Sequence, residues 1–240
     1  MSSWGVINNQ WIPNPKVVKY MILIGGTEST GIQTRLHQFE RSLIEIVELY
    51  AAELKILALE IIDFLAKTLN MDEEYIREMF GEGRHSTRMN YYPPCPQLDK
   101  VKRLTPHSDV VALTTLLQLN QMEGLQIKKD GVWIPISPLP HAFIINIGDI
   151  LEIVKNGAYR SIKNRAMVNN KKERLLIVTF YSTRFHRQIG SAPSIISAKN
   201  SAKFISIGAV DYGRGYFARK LDKKSYLYVM RIENSENPAS

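Results

Sequence analysis

An Asp-Gly dipeptide between two short apolar runs is the feature that most restricts the fold of this chain. Asp130-Gly131 follows the run at 125–128 and precedes the run at 132–134. Asp-Gly pairs favour the positive φ angles of tight hairpin turns. This stretch therefore predicts two antiparallel strands joined by a tight turn.

Short apolar runs separated by turn residues continue through residues 87–185. The runs lie at 143–147, 150–154, 158–168 and 174–181, and Gly148-Asp149, Asn156-Gly157 and Asn169-Asn170 separate them. Many short strands joined by tight turns are typical of an antiparallel sandwich or jelly roll. The residues alone thus predict a mainly β fold with flanking helices.

A helical pattern precedes these runs. Apolar residues recur at three- and four-residue steps, which is the period of one helix face. They are Leu36, Phe39, Leu43, Val47, Tyr50, Leu54, Leu57, Ile61, Phe64 and Leu65. The pattern predicts a long helix over 36–69, with a break near Asn70, packed outside the sheet.

Bulk composition excludes several classes of protein. The chain has 240 residues, which is enough for one sizeable core, and its single cysteine, Cys95, excludes an internal disulfide and fits a reducing compartment. The net charge is +8, but the basic residues are scattered rather than clustered. No basic start followed by an apolar run is present at the N-terminus, and no apolar run is long enough to span a bilayer. We therefore expect a cytoplasmic protein that binds neither nucleic acid nor membrane.

A histidine and an aspartate two residues apart suggest a metal site. His107 and Asp109 would share one face of a strand. One imidazole and one carboxylate, joined by a histidine from a distant strand, make the facial triad of non-haem Fe(II) oxygenases.

Several further motifs occur in a fixed order around this pair. They are residues 89–96, His107-Ser108-Asp109, residues 146–149, residues 161–166, Arg174 and residues 215–232. Together they resemble the plant 2-oxoglutarate and Fe(II)-dependent dioxygenases, in the branch of the senescence-related proteins, the alkaloid O-demethylases and the dioxygenase-like norcoclaurine synthase. The resemblance runs from about Phe39 to Ile232 and implies a double-stranded β-helix, which is a jelly roll, with a long helix packed outside.

The resemblance also implies a division of the chain into three regions. Residues 1–35 are interpreted as a divergent or truncated N-terminal remnant, and residues 36–86 as a helical support region. Residues 87–240 are expected to form the Fe(II)/2-oxoglutarate dioxygenase-type jelly-roll domain, with a C-terminal helix at about 207–221.

Two positions depart from what this family carries. Asn164 stands where the second histidine of the iron triad is expected, so the implied metal site consists of His107, Asp109 and the altered Asn164, with His107 and Asp109 as catalytic residues. An amide oxygen is a poorer Fe(II) ligand than an imidazole, and Fe(II) binding is expected to be weakened or lost. His141 and His186 are interpreted as exposed loop residues outside the site.

The implied co-substrate site is altered as well. Arg174 matches the arginine that pairs with the distal carboxylate of 2-oxoglutarate, a task that suits its planar fork of donors. Tyr92 matches a tyrosine that helps to hold the co-substrate, and Asn90 is expected on the same strand face. Leu176 replaces a serine whose hydroxyl would donate a hydrogen bond, so binding of 2-oxoglutarate is expected to be weaker.

These expectations imply an oxidoreductase that hydroxylates or demethylates a plant specialised metabolite with Fe(II) and 2-oxoglutarate, with impaired activity. Two alternatives stay open. One is a non-oxidative enzyme on the same scaffold, such as a norcoclaurine synthase-like condensation, with His107, Asp109 and Tyr92 as acid–base groups. The other is a non-catalytic relic. The expected partner is a small-molecule substrate, and the chain is expected to be a monomer.

Overall fold

The computed structural model of this chain describes residues 20–22, 38–96, 106–218 and 226–232. The strands within these residues are β1 (Tyr20–Ile22), β2 (His85–Tyr92), β3 (Leu113–Gln118), β4 (Leu125–Lys129), β5 (Val132–Ile136), β6 (Phe143–Ile147), β7 (Asn164–Ala166), β8 (Arg174–Tyr181), β9 (Gln188–Ile189) and β10 (Ile207–Gly208). The helices are α1 (Gln38–Lys67), α2 (Glu73–Phe80), α3 (Asp149–Val154), α4 (Ala209–Ala218) and α5 (Leu227–Met230).

Two antiparallel sheets build the centre of the fold. The larger sheet has the strand order β1-β2-β8-β3-β6, and the smaller sheet has the order β5-β4-β7. Leu125 of the smaller sheet packs with Leu116, Leu176 and Val178 of the larger sheet in one buried cluster. The jelly-roll prediction is confirmed. The side of the larger sheet that carries Leu116, Leu176 and Val178 is called the inner face below.

The hairpin at Asp130-Gly131 forms as predicted. The two residues have φ angles of 49° and 82°, and Lys129 pairs with Val132 directly across the turn. Positive φ at both central residues matches the right-handed twist of the flanking strands. The turn sequence therefore sets the register of β4 against β5.

The prediction of a strand at 150–154 is wrong, because these residues belong to α3. All six residues of α3 are buried. The periodicity of so short a buried run does not distinguish a helix from a strand. Asn156-Gly157 has positive φ at both positions, 50° and 79°, but it follows this helix instead of joining two strands. In the run predicted at 158–168, β7 is the strand that forms.

The predicted long helix is confirmed, and its buried face is rotated relative to the predicted stripe. Its buried side chains recur at three- and four-residue steps and are Val47, Ala51, Leu54, Ala58, Ile62 and Ala66. Phe64, which was expected to be buried, is 68% exposed. Three alanines on the buried face allow the helix backbone to approach the sheet closely, a feature that a search for large apolar residues misses.

The break after α1 lies where it was expected. Asn70 has a φ of 50°, and α2 starts two residues after Met71 with Asp72 as its cap, whose side chain accepts a hydrogen bond from the backbone N–H of Glu74 at 2.9 Å. The outer side of the larger sheet is covered by buried side chains of α1, α2 and α3, among them Ile62, Phe80 and Leu151. The expected C-terminal helix at about 207–221 is observed as α4, and residues 219–225 lie outside the described residues.

A lysine is fully buried where α3 ends. Lys155 has no exposed surface, and its Nζ lies 3.7 Å from the sulfur of Met71 and 5.8 Å from the centre of the Tyr159 ring. Burial lowers the pKa of Lys155 to about 8, and the charge of Asp63 opposes this shift. In the unfolded chain the lysine titrates near its ordinary pKa of about 10.4.

We expect Lys155 to make the unfolding free energy rise with pH. Between pH 8 and about 10.4 the unfolded chain holds more protons than the folded chain, so stability increases through that window. Below pH 8 both states are protonated, and the cost of burying the charge is fully present. Lys155→Met should therefore be more stable than the wild type at pH 7, with the difference shrinking toward pH 10. Urea unfolding of both proteins across this range measures it, and a constant difference would contradict the prediction.

No helix among the described residues is long and apolar enough to cross a bilayer. The predicted remnant at 1–35 lies outside the described residues apart from β1, which pairs with β2.

Candidate active site

Two distant segments of the chain meet at His107 and Asn164. The backbone N–H of His107 donates to the carbonyl of Asn164 at 3.1 Å, and the N–H of Asn164 donates to the carbonyl of His107 at 2.8 Å. Asn164 is the first residue of β7, so this bridge joins the segment before β3 to the smaller sheet. The two positions expected to supply histidine ligands are therefore direct neighbours.

The carboxylate of Asp109 lies between these residues and has an amide donor on each oxygen. Nδ2 of Asn164 donates to Oδ1 at 3.2 Å, and Nδ2 of Asn146 donates to Oδ2 at 3.3 Å. Nε2 of His107 lies 3.6 Å from Oδ1 of Asp109. Asp109 and Asn164 are buried at 8% and 5% exposure, whereas the imidazole remains partly accessible.

The start of α3 holds the Asp109 segment in place. The backbone N–H of Asp149 donates to the carbonyl of Asp109 at 2.7 Å, and the hydroxyl of Ser108 donates to the carboxylate of Asp149 at 3.0 Å. Burial raises the pKa of Asp149 to about 7, and the hydroxyl of Ser108 is among the donors that oppose this rise. Gly148 is required before it, because a Cβ atom there would collide with the carbonyl oxygen of Val111.

The site does not supply the full ligand set of a facial triad. His107 and Asp109 provide one imidazole and one carboxylate. Asn164 supplies no third ligand here, because its side-chain N–H donates to Oδ1 of Asp109, an oxygen that would be needed to bind a metal. Among the described residues no group of three His, Cys, Asp or Glu side chains could hold a metal ion. His141 and His186 are exposed loop residues, as predicted. The residues present therefore do not fit a three-residue iron site.

Arg174 lies at the other end of the inner face and fits a carboxylate. Its side chain is 1% exposed, and its Nε donates to Oε1 of Gln118 at 3.0 Å. The guanidinium lies 5.7 Å from the ring centre of Tyr92, the residue opposite it on β2. Its Nη2 is buried and has no hydrogen-bond partner among the residues that the structure describes. A buried donor without a partner is costly, and a bound carboxylate oxygen would satisfy it.

The surroundings of Arg174 also show the role of Leu176, the residue that stands where a serine was expected. Leu176 follows two residues later on the same face, is 2% exposed and packs with Leu116 and Val178. Asn90 is its partner across the strands, as the expected common face requires. Gly124 leaves room for the arginine, because a Cβ there would lie 2.6 Å from Cδ of Arg174. Leucine therefore fills space at a position where a hydroxyl was expected.

Sequence reasoning missed several residues of this site. Asn146 and Gln118 hold Asp109 and Arg174 in place, and Arg88 lies on the same face of β2 as Asn90 and Tyr92. Asn146 belongs to the motif at 146–149, so the sequence indicated this segment but not the contact of Asn146 with Asp109. The alternation along β2 and β3 would have indicated Arg88 and Gln118 as inner-face residues. Two surface cavities, of about 630 and 460 Å³, are lined by residues within 94, 120–123 and 169–173 and include none of the predicted site residues.

Comparison with known protein families gives one match that covers the site. Residues 83–183 match the model of the 2OG-Fe(II) oxygenase superfamily. The matched range begins two residues before β2 and ends two residues after β8, so it includes His107, Asp109, Asn164 and Arg174.

The chain is similar to several curated plant proteins. It is 51% identical over 190 residues to oxoglutarate-dependent flavonoid 7-O-demethylase 1 of Ocimum basilicum, covering 79% of this chain and 51% of that protein. It is 47% identical over 190 residues to protein SRG1 of Arabidopsis thaliana, covering 78% and 53%. It is 46% identical over 189 residues to codeine O-demethylase of Papaver somniferum, covering 78% and 52%. The chain thus spans about half the length of these relatives.

Solved structures show the same architecture. The crystal structure of JOX2 in complex with 2OG, Fe and JA superposes with a TM-score of 0.77 at 30% identity, covering 90% of this chain and 64% of that chain. The dioxygenase for auxin oxidation of rice superposes with a TM-score of 0.63 at 22% identity, covering 72% and 58%, which supports the fold alone.

Proposed function

Because this chain, through residues 83–183, belongs to the 2OG-Fe(II) oxygenase superfamily, we propose that it is an oxidoreductase that binds 2-oxoglutarate and hydroxylates or demethylates a plant small molecule. Two similar proteins are named as a flavonoid demethylase and a codeine demethylase, and the structure of a third was solved with 2OG and Fe bound. These similarities support this reaction class. A condensation reaction has no comparable support.

The observation that carries the proposal is the unpaired Nη2 of Arg174. The guanidinium donates to Gln118 through Nε, and its Nη2 donor is left without a hydrogen-bond partner among the described residues. A dicarboxylic keto acid supplies the oxygen that this donor lacks. The Tyr92 ring beside the guanidinium and the buried Leu176 exclude water from the pair, which strengthens a charge-assisted hydrogen bond.

Fe(II) supplies the oxidising chemistry in this superfamily, and we propose that this chain holds the ion weakly through His107 and Asp109. Asn164 lacks the neutral imidazole that would complete the set, and its N–H competes for Oδ1 of Asp109. Losing a residue that only orients a metal ligand lowers metal affinity roughly 10- to 100-fold. Losing the ligand itself should lower the affinity by at least as much. We therefore propose that turnover by this chain is slow. Binding of 2-oxoglutarate at Arg174 is better retained than the oxidation that needs Fe(II).

Further properties belong to the proposal. We propose that the chain is cytoplasmic, since its one cysteine fits a reducing compartment. We also propose that it is a monomer that binds neither nucleic acid nor membrane. The division into a remnant at 1–35, a support region at 36–86 and a jelly-roll domain at 87–240 also remains our proposal.

Arg174→Lys is expected to lower the affinity for 2-oxoglutarate by roughly tenfold. Lysine keeps the positive charge but loses the planar fork, and a hydrogen bond to a charged group contributes about 1.5–3 kcal/mol. Isothermal titration of the metal-free chain with 2-oxoglutarate measures the change without any need for turnover.

Arg165→Lys is the matched control for this titration. Arg165 follows Asn164 on β7 and lies over the Trp133 ring at 4.1 Å, with its Nε donating to Gln126. It faces away from Asn164, because successive side chains of a strand point to opposite sides. Its variant should bind 2-oxoglutarate like the wild type. Equal affinity in the wild type and Arg174→Lys would remove the support for the keto-acid site.

A further inference from the structure

Lys155 is a buried cation whose amine has no oxygen acceptor among the described residues. It has no exposed surface, and its one side-chain hydrogen bond to a described residue runs from Nζ to the sulfur of Met71 at 3.7 Å. Asp63 acts on the amine through its charge without forming an ion pair, and the hydroxyl of Tyr159 lies 2.6 Å from that of Thr68. An ammonium carries three donors, and a thioether sulfur is a weak acceptor. The donors of this buried charge are therefore poorly satisfied.

Met71 lies where the chain leaves α1 and turns toward α2. Asn70 before it and Asp72 after it are exposed, and Asn70 has a φ of 50°. Met71 itself is 6% exposed and belongs to the buried cluster on the outer side of the larger sheet. The residue thus lies directly beneath a surface turn, where local opening gives a small oxidant access to it.

The separation of Nζ and the sulfur matches the geometry of a hydrogen bond to a methionine sulfoxide. An oxygen bonded to sulfur at about 1.5 Å, and accepting a hydrogen bond of about 2.8 Å at an S–O···N angle of about 115–120°, places nitrogen and sulfur roughly 3.7 Å apart. The observed separation between Lys155 and Met71 is 3.7 Å. Lys155 is therefore already at the distance from which it would bind such an oxygen.

We propose that Met71 is a reversible oxidation site, and that the ammonium of Lys155 binds the oxygen of its sulfoxide. Oxidation of a buried methionine ordinarily puts a polar group into an apolar core. Here the added oxygen satisfies a buried donor, so oxidation ties the turn between α1 and α2 to the end of α3. The site is independent of the proposed function, because Met71 packs on the outer side of the larger sheet whereas Arg174 lies on its inner face.

The oxidant is a hydroperoxide. A lone pair of the sulfur forms the S–O bond while the O–O bond of the peroxide breaks, and the departing hydroxide takes up a proton and leaves as water. The sulfur loses two electrons and the peroxide gains them. Two sulfoxide reductases reverse the reaction, each acting on one epimer. Only oxygen added to the lone pair that faces Nζ lies beside Lys155, so one epimer of the Met71 sulfoxide fits the folded chain.

The first experiment measures which sulfoxides the folded chain retains. The full chain is partly oxidised with hydrogen peroxide in urea and brought to the midpoint of unfolding. A short protease pulse then removes the unfolded chains, and peptide mass spectrometry gives the sulfoxide content of the chains that remain. We expect these folded chains to retain the Met71 sulfoxide roughly tenfold better than the Met122 sulfoxide, as one hydrogen bond to a charged group would give.

Met122 is the matched internal control. It is also 6% exposed, and its sulfur accepts no hydrogen bond from the residues that the structure describes. Lys155→Leu, which adds no oxidisable sulfur, should lower the retention of the Met71 sulfoxide to that of Met122. Lys67→Gln removes a positive charge from an exposed side chain in the last turn of α1, and it should leave the retention unchanged.

The second experiment oxidises the folded chain without urea. Met71 should react before the more deeply buried Met79 and Met230, which are 2% and 0% exposed. In peptides prepared from this protein, one of the two epimer-specific reductases should reduce the Met71 sulfoxide and the other should leave it. Equal amounts of both epimers would show that Lys155 does not select the oxygen, and would overturn the proposal.

Three further results would overturn it. They are equal loss of the Met71 and Met122 sulfoxides from folded chains, unchanged retention of the Met71 sulfoxide in Lys155→Leu, and no reaction of Met71 in the folded chain. If Lys155→Leu does not fold, the comparison of Met71 with Met122 in the wild type and the epimer composition still decide the question. None of these measurements uses 2-oxoglutarate, so their failure leaves the proposed function untouched.

Discussion

Replacing Asn164 with histidine is expected to raise Fe(II) affinity roughly 100-fold, since losing even a group that orients a ligand costs 10- to 100-fold. The substitution adds a neutral imidazole beside His107 and removes the amide that donates to Oδ1 of Asp109. Both effects act in the same direction, because the new side chain is a ligand and the freed oxygen can be one. Anaerobic Fe(II) titration measures the affinity directly. Adding 2-oxoglutarate should then give a metal-to-ligand charge-transfer band that the wild type shows weakly.

Asn170→His provides the control for this experiment. Asn170 is exposed in the loop before β8, so a histidine there adds an imidazole outside the site. Its Fe(II) affinity should equal that of the wild type. Strong wild-type binding of Fe(II) that Asn164→His leaves unchanged would show that Asn164 is not the defect. Succinate release should appear or increase in Asn164→His before any substrate is known.

Leu176→Ser is expected to have two opposed effects. The new hydroxyl lies beside Arg174 on the inner face and can donate to a carboxylate, which should tighten 2-oxoglutarate binding roughly tenfold. The same change removes a leucine that is 2% exposed and packed with Leu116 and Val178. By comparison with buried leucine-to-alanine changes, the free energy of unfolding should fall by about 2–5 kcal/mol. Urea unfolding and 2-oxoglutarate titration measure the two effects separately.

Leu175→Ser is the control, since Leu175 is the neighbouring residue on β8, points to the other side of the sheet and is 37% exposed. It should lose little stability and leave 2-oxoglutarate binding unchanged. A Leu176→Ser protein as stable as the wild type would mean that the cavity closes around the smaller side chain. No gain in 2-oxoglutarate affinity would show that the hydroxyl does not reach the ligand.

Local signals in the sequence predicted much of the fold. Asp130-Gly131 set a hairpin because positive φ at both positions is a property of those two residues and their turn. The helix over α1 was visible because its period extends over eight turns. The prediction failed at 150–154, where a short buried run satisfies either a helix or a strand and the neighbouring elements decide. It also assigned Phe64 to the buried face, since small alanines at the true contact carry no strong apolar signal.

The candidate site was predicted unevenly for a related reason. His107, Asp109, Asn164 and Arg174 could be named because motifs in a fixed order carry them, and the structure brings the first three together while Arg174 lies at the other end of the same face. The contacts that hold them were not predicted. Which donor reaches Asp109 depends on the pairing of β3 with β6, and the partner of Arg174 depends on the side chain of Gln118 from another strand. Such long-range register is not encoded in any local pattern.

The two amides on Asp109 have a consequence for how the folded state depends on its surroundings. Metal binding often contributes to the free energy of folding, because the ligand site rarely exists in the unfolded chain. Here Asn146 and Asn164 already compensate the buried carboxylate on both oxygens. Both oxygens of this carboxylate therefore have hydrogen-bond partners without a metal ion, so we expect the free energy of unfolding to change little when Fe(II) is added or removed.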